Sequence, residues 1–118
     1  MYGYVWNYSR PRQPQNAAFA VNVAEGNEEY RITAALPGVK KSDVSLDMNG
    51  SYVRISVKAP ENEESTAKTV WQEYAPIAAT RSVYVGNEVD RDSLHAAMSD
   101  GVLTVTVPKT QKKLISVD

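Results

Sequence analysis

The chain has 118 residues, 42% of them hydrophobic, with thirteen basic side chains against fourteen acidic ones and no cysteine. That length suits one domain able to bury a core without metals or disulfides, and the lack of thiols excludes disulfides, thiolate nucleophiles and zinc-finger spacings. The near-neutral balance holds no basic block to neutralise a run of phosphates, so no nucleic acid partner is expected, and no apolar run reaches the length of a membrane span or secretory leader.

A soluble, cytoplasmic protein is the expectation that follows. Residues 1–18 are rich in Tyr, Asn, Gln and Pro, and Pro11 and Pro14 deny regular structure, so they read as a flexible arm. From Phe19 the apolar period is two rather than 3.6. Phe19, Val21 and Val23 alternate with Ala20 and Asn22, and Tyr30, Ile32 and Ala34 with Arg31 and Thr33, which predicts two strands. Leu36-Pro37-Gly38-Val39 is a turn, with Pro presetting φ and Gly accepting a positive one, and Lys40-Lys41-Ser42-Asp43 continues it as a loop. Val44, Leu46 and Met48, then Asn49-Gly50, then Val53, Ile55 and Val57 make a β-hairpin with a two-residue turn signal.

Residues 60–68 are small and charged and read as a solvated loop. Val70-Trp71-Gln72-Glu73-Tyr74 is a strand-like island inside a connection too long to stay idle in a compact domain, so it is expected to pair with something. Alternation resumes over Thr80-Arg81-Ser82-Val83-Tyr84-Val85, and Asp90-Arg91-Asp92-Ser93-Leu94 predicts a turn or single helical turn. Residues 94–98 and 102–107 form a second hairpin with Asp100-Gly101 at the bend, and Pro108 ends the ladder by removing a donor. Many short alternating strands with no sustained helical period indicate an all-β fold, an antiparallel immunoglobulin-like β-sandwich over residues 19–108. Residues 109–118 are a tail in which Ile115 and Val117, spaced i, i+2, share a side when extended. Such a tail either adds itself to an exposed sheet edge or folds back on its own domain.

Catalytic chemistry has little to work with. Enzymes need a nucleophile and base or a metal set, and this chain has one His and no Cys. His95 reads as solvent-facing. Glu61, Glu63 and Glu64 run together in a loop that cannot hold the separation acid–base chemistry requires. The glycines are scattered at turns and form no phosphate cradle. No enzyme, cofactor or metal is expected. Tyr2, Tyr4, Trp6 and Tyr8 share a face if the arm is extended, and rings that cannot be buried locally either mark an interaction surface or dock back on the sandwich.

The run Ala96-Ala97-Met98-Ser99-Asp100-Gly101-Val102-Leu103 resembles the A-x-x-x-N-G-V-L signature of the α-crystallin domain of small heat shock proteins, with Asp100 where Asn is usual. Leu36-Pro37-Gly38-Val39-Lys40-Lys41-Ser42-Asp43-Val44 is similar to that family's L-P-G-V-K-K-x-D-I segment, and Ile115-Ser116-Val117 to its C-terminal I-x-I/V motif. The resemblance spans roughly residues 19–117. It implies an ATP-independent holdase that binds partly unfolded client proteins, with homodimers assembling into a larger homo-oligomer. It implies, in the bacterial and plant branch, a strand swapped into a partner's sheet, here Val70, Trp71 and Tyr74, and a dimer-interface Arg at Arg81. It also implies that Ile115 and Val117 dock in a groove between residues 44–48 and 94–98, with Val44, Leu46 and Leu94 as its lining. Client binding falls to Tyr2, Tyr4, Trp6 and Tyr8. Two rival readings are a monomeric adaptor of the CS-domain co-chaperone type, which needs neither the G-V-L run nor the I-x-V motif, and a sugar- or ligand-binding sandwich, for which no polar groups converge on a pocket.

Overall fold

The computed structural model describes residues 19–60 and 66–110. Seven strands lie among them: β1 (Val21–Glu25), β2 (Glu29–Ala35), β3 (Val44–Asn49), β4 (Tyr52–Val57), β5 (Ala79–Tyr84), β6 (His95–Ser99) and β7 (Val102–Pro108). They form a four-stranded sheet in the order β1-β2-β7-β6 and a three-stranded sheet in the order β3-β4-β5, with every pairing antiparallel. The sheets stack as an antiparallel sandwich.

Alternation in the sequence decides what lies between the sheets. Ile32 and Ala34 of β2, Val53, Ile55 and Val57 of β4, and Leu103, Val105 and Val107 of β7 are all buried, while Arg31, Thr33, Arg54, Thr104 and Thr106 point outward. Phe19, Leu36, Val83, Val85 and Val89 complete that core from the rims. Phe19 therefore acts as a core plug just ahead of the first strand, which begins at Val21.

The two hairpins close by different turns. Asn49 pairs with Tyr52, so the loop residues are Gly50 and Ser51, one position later than Asn49-Gly50. Gly50 has φ +61° and Ser51 an ordinary negative φ, the pattern of a type II′ turn, whose first position demands Gly. At the second hairpin both Asp100 (φ 55°) and Gly101 (φ 74°) are left-handed, as a type I′ turn requires. Two short 3-10 turns precede edge strands: Lys41–Asp43 before β3 and Arg91–Ser93 before β6. In the second, the Asp90 carboxylate caps the turn, accepting from the Asp92 amide at 3.1 Å and the Ser93 hydroxyl at 2.7 Å. Leu94 follows this turn and sits just outside β6, not within it.

Residues 70–74 do not form the expected strand within the single chain; they have no ladder partner there. The arm with Tyr2, Tyr4, Trp6 and Tyr8, the acidic run Glu61, Glu63 and Glu64, and the tail residues Ile115 and Val117 lie outside the described residues.

Candidate functional site

β3 and β6 are the outer strands of their respective sheets and flank the same side of the sandwich. Their alternating side chains set what that side exposes. Val44, Leu46 and Met48 stand opposite Val57, Ile55 and Val53, so all three face inward. Ala96 and Met98 stand opposite Val105 and Leu103 and face inward likewise. No further strand covers either edge among the described residues, so Val44, Leu46, Met48 and Met98 remain only partly buried. The result is an apolar groove of about 210 Å³ running between the two edges. Val44 and Leu46 form one wall, Ala96, Ala97 and Met98 the other, Leu103 the floor, and Lys41 sets one cation at the rim. At roughly 30 Å³ per water, that space holds several solvent molecules that an apolar side chain would displace.

The structure thus brings Val44 and Leu46 together in one site. Leu94 packs on the core beside the groove but does not line it. The residues that do line the second wall, Ala96, Ala97 and Met98, were missed as lining. The A-A-M run alone does not mark them, since Ala96 and Met98 face inward only through the register of β6 on β7. Each edge strand also keeps one row of backbone donors and acceptors without a ladder partner, so an extended segment laid in the groove would find both apolar pockets and backbone partners.

The opposite flank and the long connection carry the other sequence-singled residues. Arg81 of β5 is half-buried, and its Nη1 donates to the Phe19 carbonyl at 3.0 Å, tying the entry of the domain to the three-stranded sheet. Val70, Trp71 and Tyr74 are 88%, 80% and 81% exposed, an unusual display for rings and a β-branched residue in one short stretch. Their polar contacts are local: Trp71 Nε1 donates to Glu73 Oε2 at 2.7 Å, and Gln72 Nε2 donates to the Tyr74 carbonyl at 3.1 Å. Tyr74 also borders a hollow of about 200 Å³ with Pro37, Val39 and Ile77.

Elsewhere the surface combines paired polar groups with the exposed Val23, Tyr52, Tyr84 and Val102. On the outer face of the three-stranded sheet Arg54 grips Asp47 through two hydrogen bonds of 2.9 and 2.6 Å, and these hold the Asp47 carboxyl below its ordinary range. His95 is exposed. Among the described residues, no group of three or more His, Cys, Asp or Glu is placed to hold a metal ion, and no helix is long and apolar enough to cross a membrane.

Residues 22–117 match the model of the Hsp20/alpha crystallin family. The "18 kDa heat shock protein" of Clostridium acetobutylicum is 35% identical over 100 residues, covering 82% of this chain and 66% of the relative. The "18.1 kDa class I heat shock protein" of Oryza sativa is 31% identical over 112 residues, covering 91% of this chain and 70% of the relative. The chain therefore spans about two thirds of the length of these relatives. Among solved structures, heat shock protein 16.0 from Schizosaccharomyces pombe superposes with a TM-score of 0.70 at 30% identity, over 85% of this chain and 97% of that one.

Proposed function

This chain belongs to the Hsp20/alpha crystallin family, and from that premise we propose that it is an ATP-independent holdase of the cytoplasm, whose dimers assemble into a larger oligomer and capture partly unfolded proteins. The observation that carries the reading is the open groove between β3 and β6, apolar and of side-chain size, in a chain whose own Ile115 and Val117 are spaced to fill it from a neighbouring copy. The exposed Val70, Trp71 and Tyr74 support a dimer in which residues 70–74 add to the partner's sheet. Arg81 stands on the β5 edge, where the second subunit would approach. Tyr2, Tyr4, Trp6 and Tyr8 supply the client-binding surface.

Capture needs no nucleotide, because it is mass action. A surface that binds a client's partly unfolded state lowers the concentration of that state available for aggregation, and aggregation is driven by the same exposed apolar area. Nothing in this cycle makes or breaks a covalent bond, so no catalytic group is called for.

The test is suppression of a heat-stressed client's aggregation without ATP. Changing Tyr2, Tyr4, Trp6 and Tyr8 to Ser removes rings able to bury about 150–250 Å² each, and protection should weaken while the sandwich stays folded, since its core is built from residues 19–107. A second variant lacks residues 114–118. Full protection by the four-Ser variant and none by the truncated one would move the client site from the arm to the groove.

A further inference from the structure

We infer that the groove between β3 and β6 selects the direction of what it binds: Lys41 at one end and Asp92 at the other favour an extended segment whose basic residues precede its apolar pair and whose acidic residue follows it. This rests on the groove reading proposed above and adds the charge pattern and polarity of the ligand.

The two walls run in opposite directions. Past β2 the Leu36 amide donates to the Gly101 carbonyl at 2.8 Å, so the turn that leads into β3 lies against the bend that ends β6. At the other end Arg91 Nη2 donates to the Gly50 carbonyl, joining the 3-10 turn before β6 to the bend that ends β3. Val44 and Met98 therefore share one end of the groove, and Leu46 and Ala96 the other. The ends differ in charge. Lys41, in the 3-10 turn just ahead of Val44, is exposed and is the charged side chain among the described lining residues, with the exposed Lys40 beside it. The acids at that end do not line the groove: Asp43 borders the hollow of Pro37 and Ile77, and Asp100 stands in the β6–β7 bend. At the opposite end Asp92 is exposed, while its neighbours are engaged, Arg91 with the Gly50 carbonyl and the Asp90 carboxylate with the Asp92 amide and Ser93 hydroxyl.

An extended ligand sets apolar side chains about 7 Å apart at i, i+2, the same step that separates Val44 from Leu46. Spacing alone fits either direction, so charge decides. In this sequence Lys112 and Lys113 precede Ile115, and Asp118 follows Val117. Laid parallel to β6, such a segment brings Ile115 to Leu46 and Ala96 and Val117 to Val44 and Met98. Asp118 then falls to Lys41, and the two lysines run toward Asp92. Laid the other way, Lys113 would stand beside Lys40 and Lys41 and Asp118 beside Asp92, with like charges at both ends.

The experiment uses the full chain carrying Ile115→Ala/Val117→Ala, whose own segment no longer competes for the groove, and synthetic peptides of residues 109–118. Fluorescence anisotropy reads affinity. A nitroxide at one or other end of the peptide reads direction, through broadening of amide signals near Lys41 or near Asp92. The unchanged peptide should bind, a label at its C-terminal end broadening Ser42 and Asp43 and one at its N-terminal end broadening Ser93 and Leu94. An Asp118→Lys peptide should bind about two- to fivefold more weakly, the range of an exposed ion pair. Lys41→Glu in the protein should restore that peptide and weaken the unchanged one. Asp92→Lys should likewise weaken the unchanged peptide and favour one with Lys112→Glu/Lys113→Glu, and all these differences should shrink in high salt. Equal affinities across the charge series, or the opposite broadening pattern, would overturn the selection of direction and leave docking itself standing. Failure of every peptide to bind would overturn the docking reading, and this inference with it.

Discussion

Gly101 does two things in its turn, one of which favours glycine. It takes φ +74° at the second place of the turn, and its carbonyl accepts the Leu36 amide at 2.8 Å, so the G-V-L and L-P-G segments meet there. A Cβ added to it would lie 3.5 Å from the Pro37 Cα, an ordinary contact, so the cost of Gly101→Ala is conformational and not steric. That substitution should destabilise the domain by about 1–2 kcal/mol, while Gly26→Ala, at a glycine without positive φ, should change denaturant midpoints little. Equal effects at the two sites would refute the strain argument. Glu25 offers a second residue-scale test. Its carboxyl is lowered from 4.5 by the Lys109 hydrogen bond, then by the charge of Lys109, with Tyr30 adding a weaker hydrogen bond. A lowered folded value means that the pair's contribution is complete above about pH 4.5 and is lost as pH falls through the lowered value. Lys109, raised above 10.5, sets the upper limit, since the contribution fades as pH rises through its folded value. Carboxyl-carbon NMR should show Glu25 titrating below 4.5 in the wild type and returning toward 4.5 in Lys109→Ala.

Among the elements, those whose instructions are local were legible in the sequence. β2, β4 and β7 read correctly because every second residue is Ile, Val, Leu or Ala and the intervening ones are polar, a period no helix tolerates. The Asp100-Gly101 turn was legible for the same reason. The groove was legible only in part: Val44 and Leu46 alternate clearly, but which β6 residues face them depends on the pairing of Ala96 with Val105, a relation fixed by tertiary register and invisible in the A-A-M run alone. The slip of the first turn from Asn49-Gly50 to Gly50-Ser51 has a like cause, since Asn49 is drawn into the ladder opposite Tyr52. Residues 70–74 read as a strand because their composition is that of one, yet a strand exists only with a neighbour, and their own chain provides none. Deleting residues 64–74 and closing the loop should therefore yield a folded monomer. Sedimentation that still gives a dimer would remove the swapped strand.

Among the described residues the molecule is a finished core with open sheet edges, β3 and β6 flanking the apolar groove and β1 and β5 ending their sheets on the other side. Burying Ile115 and Val117 in a neighbour's groove is worth about 1.5–3 kcal/mol each at best, a modest sum for one contact but a decisive one when repeated around a closed ring. Ile115→Ala/Val117→Ala should accordingly reduce assemblies toward dimers, as read by light scattering behind a sizing column. An unchanged mass would mean that other surfaces hold the oligomer. The topology carries a further consequence. β2 pairs with β7 at positions 67 to 79 residues apart, and that ladder is the centre of the four-stranded sheet. During synthesis the β1–β2 and β3–β4 hairpins have their partners early, whereas the other edge of β2 waits for nearly the whole domain to leave the ribosome before β7 exists. A protein proposed to guard unfinished chains thus passes most of its own translation as one, with Ile32 and Ala34 of β2 uncovered until residues 102–108 arrive.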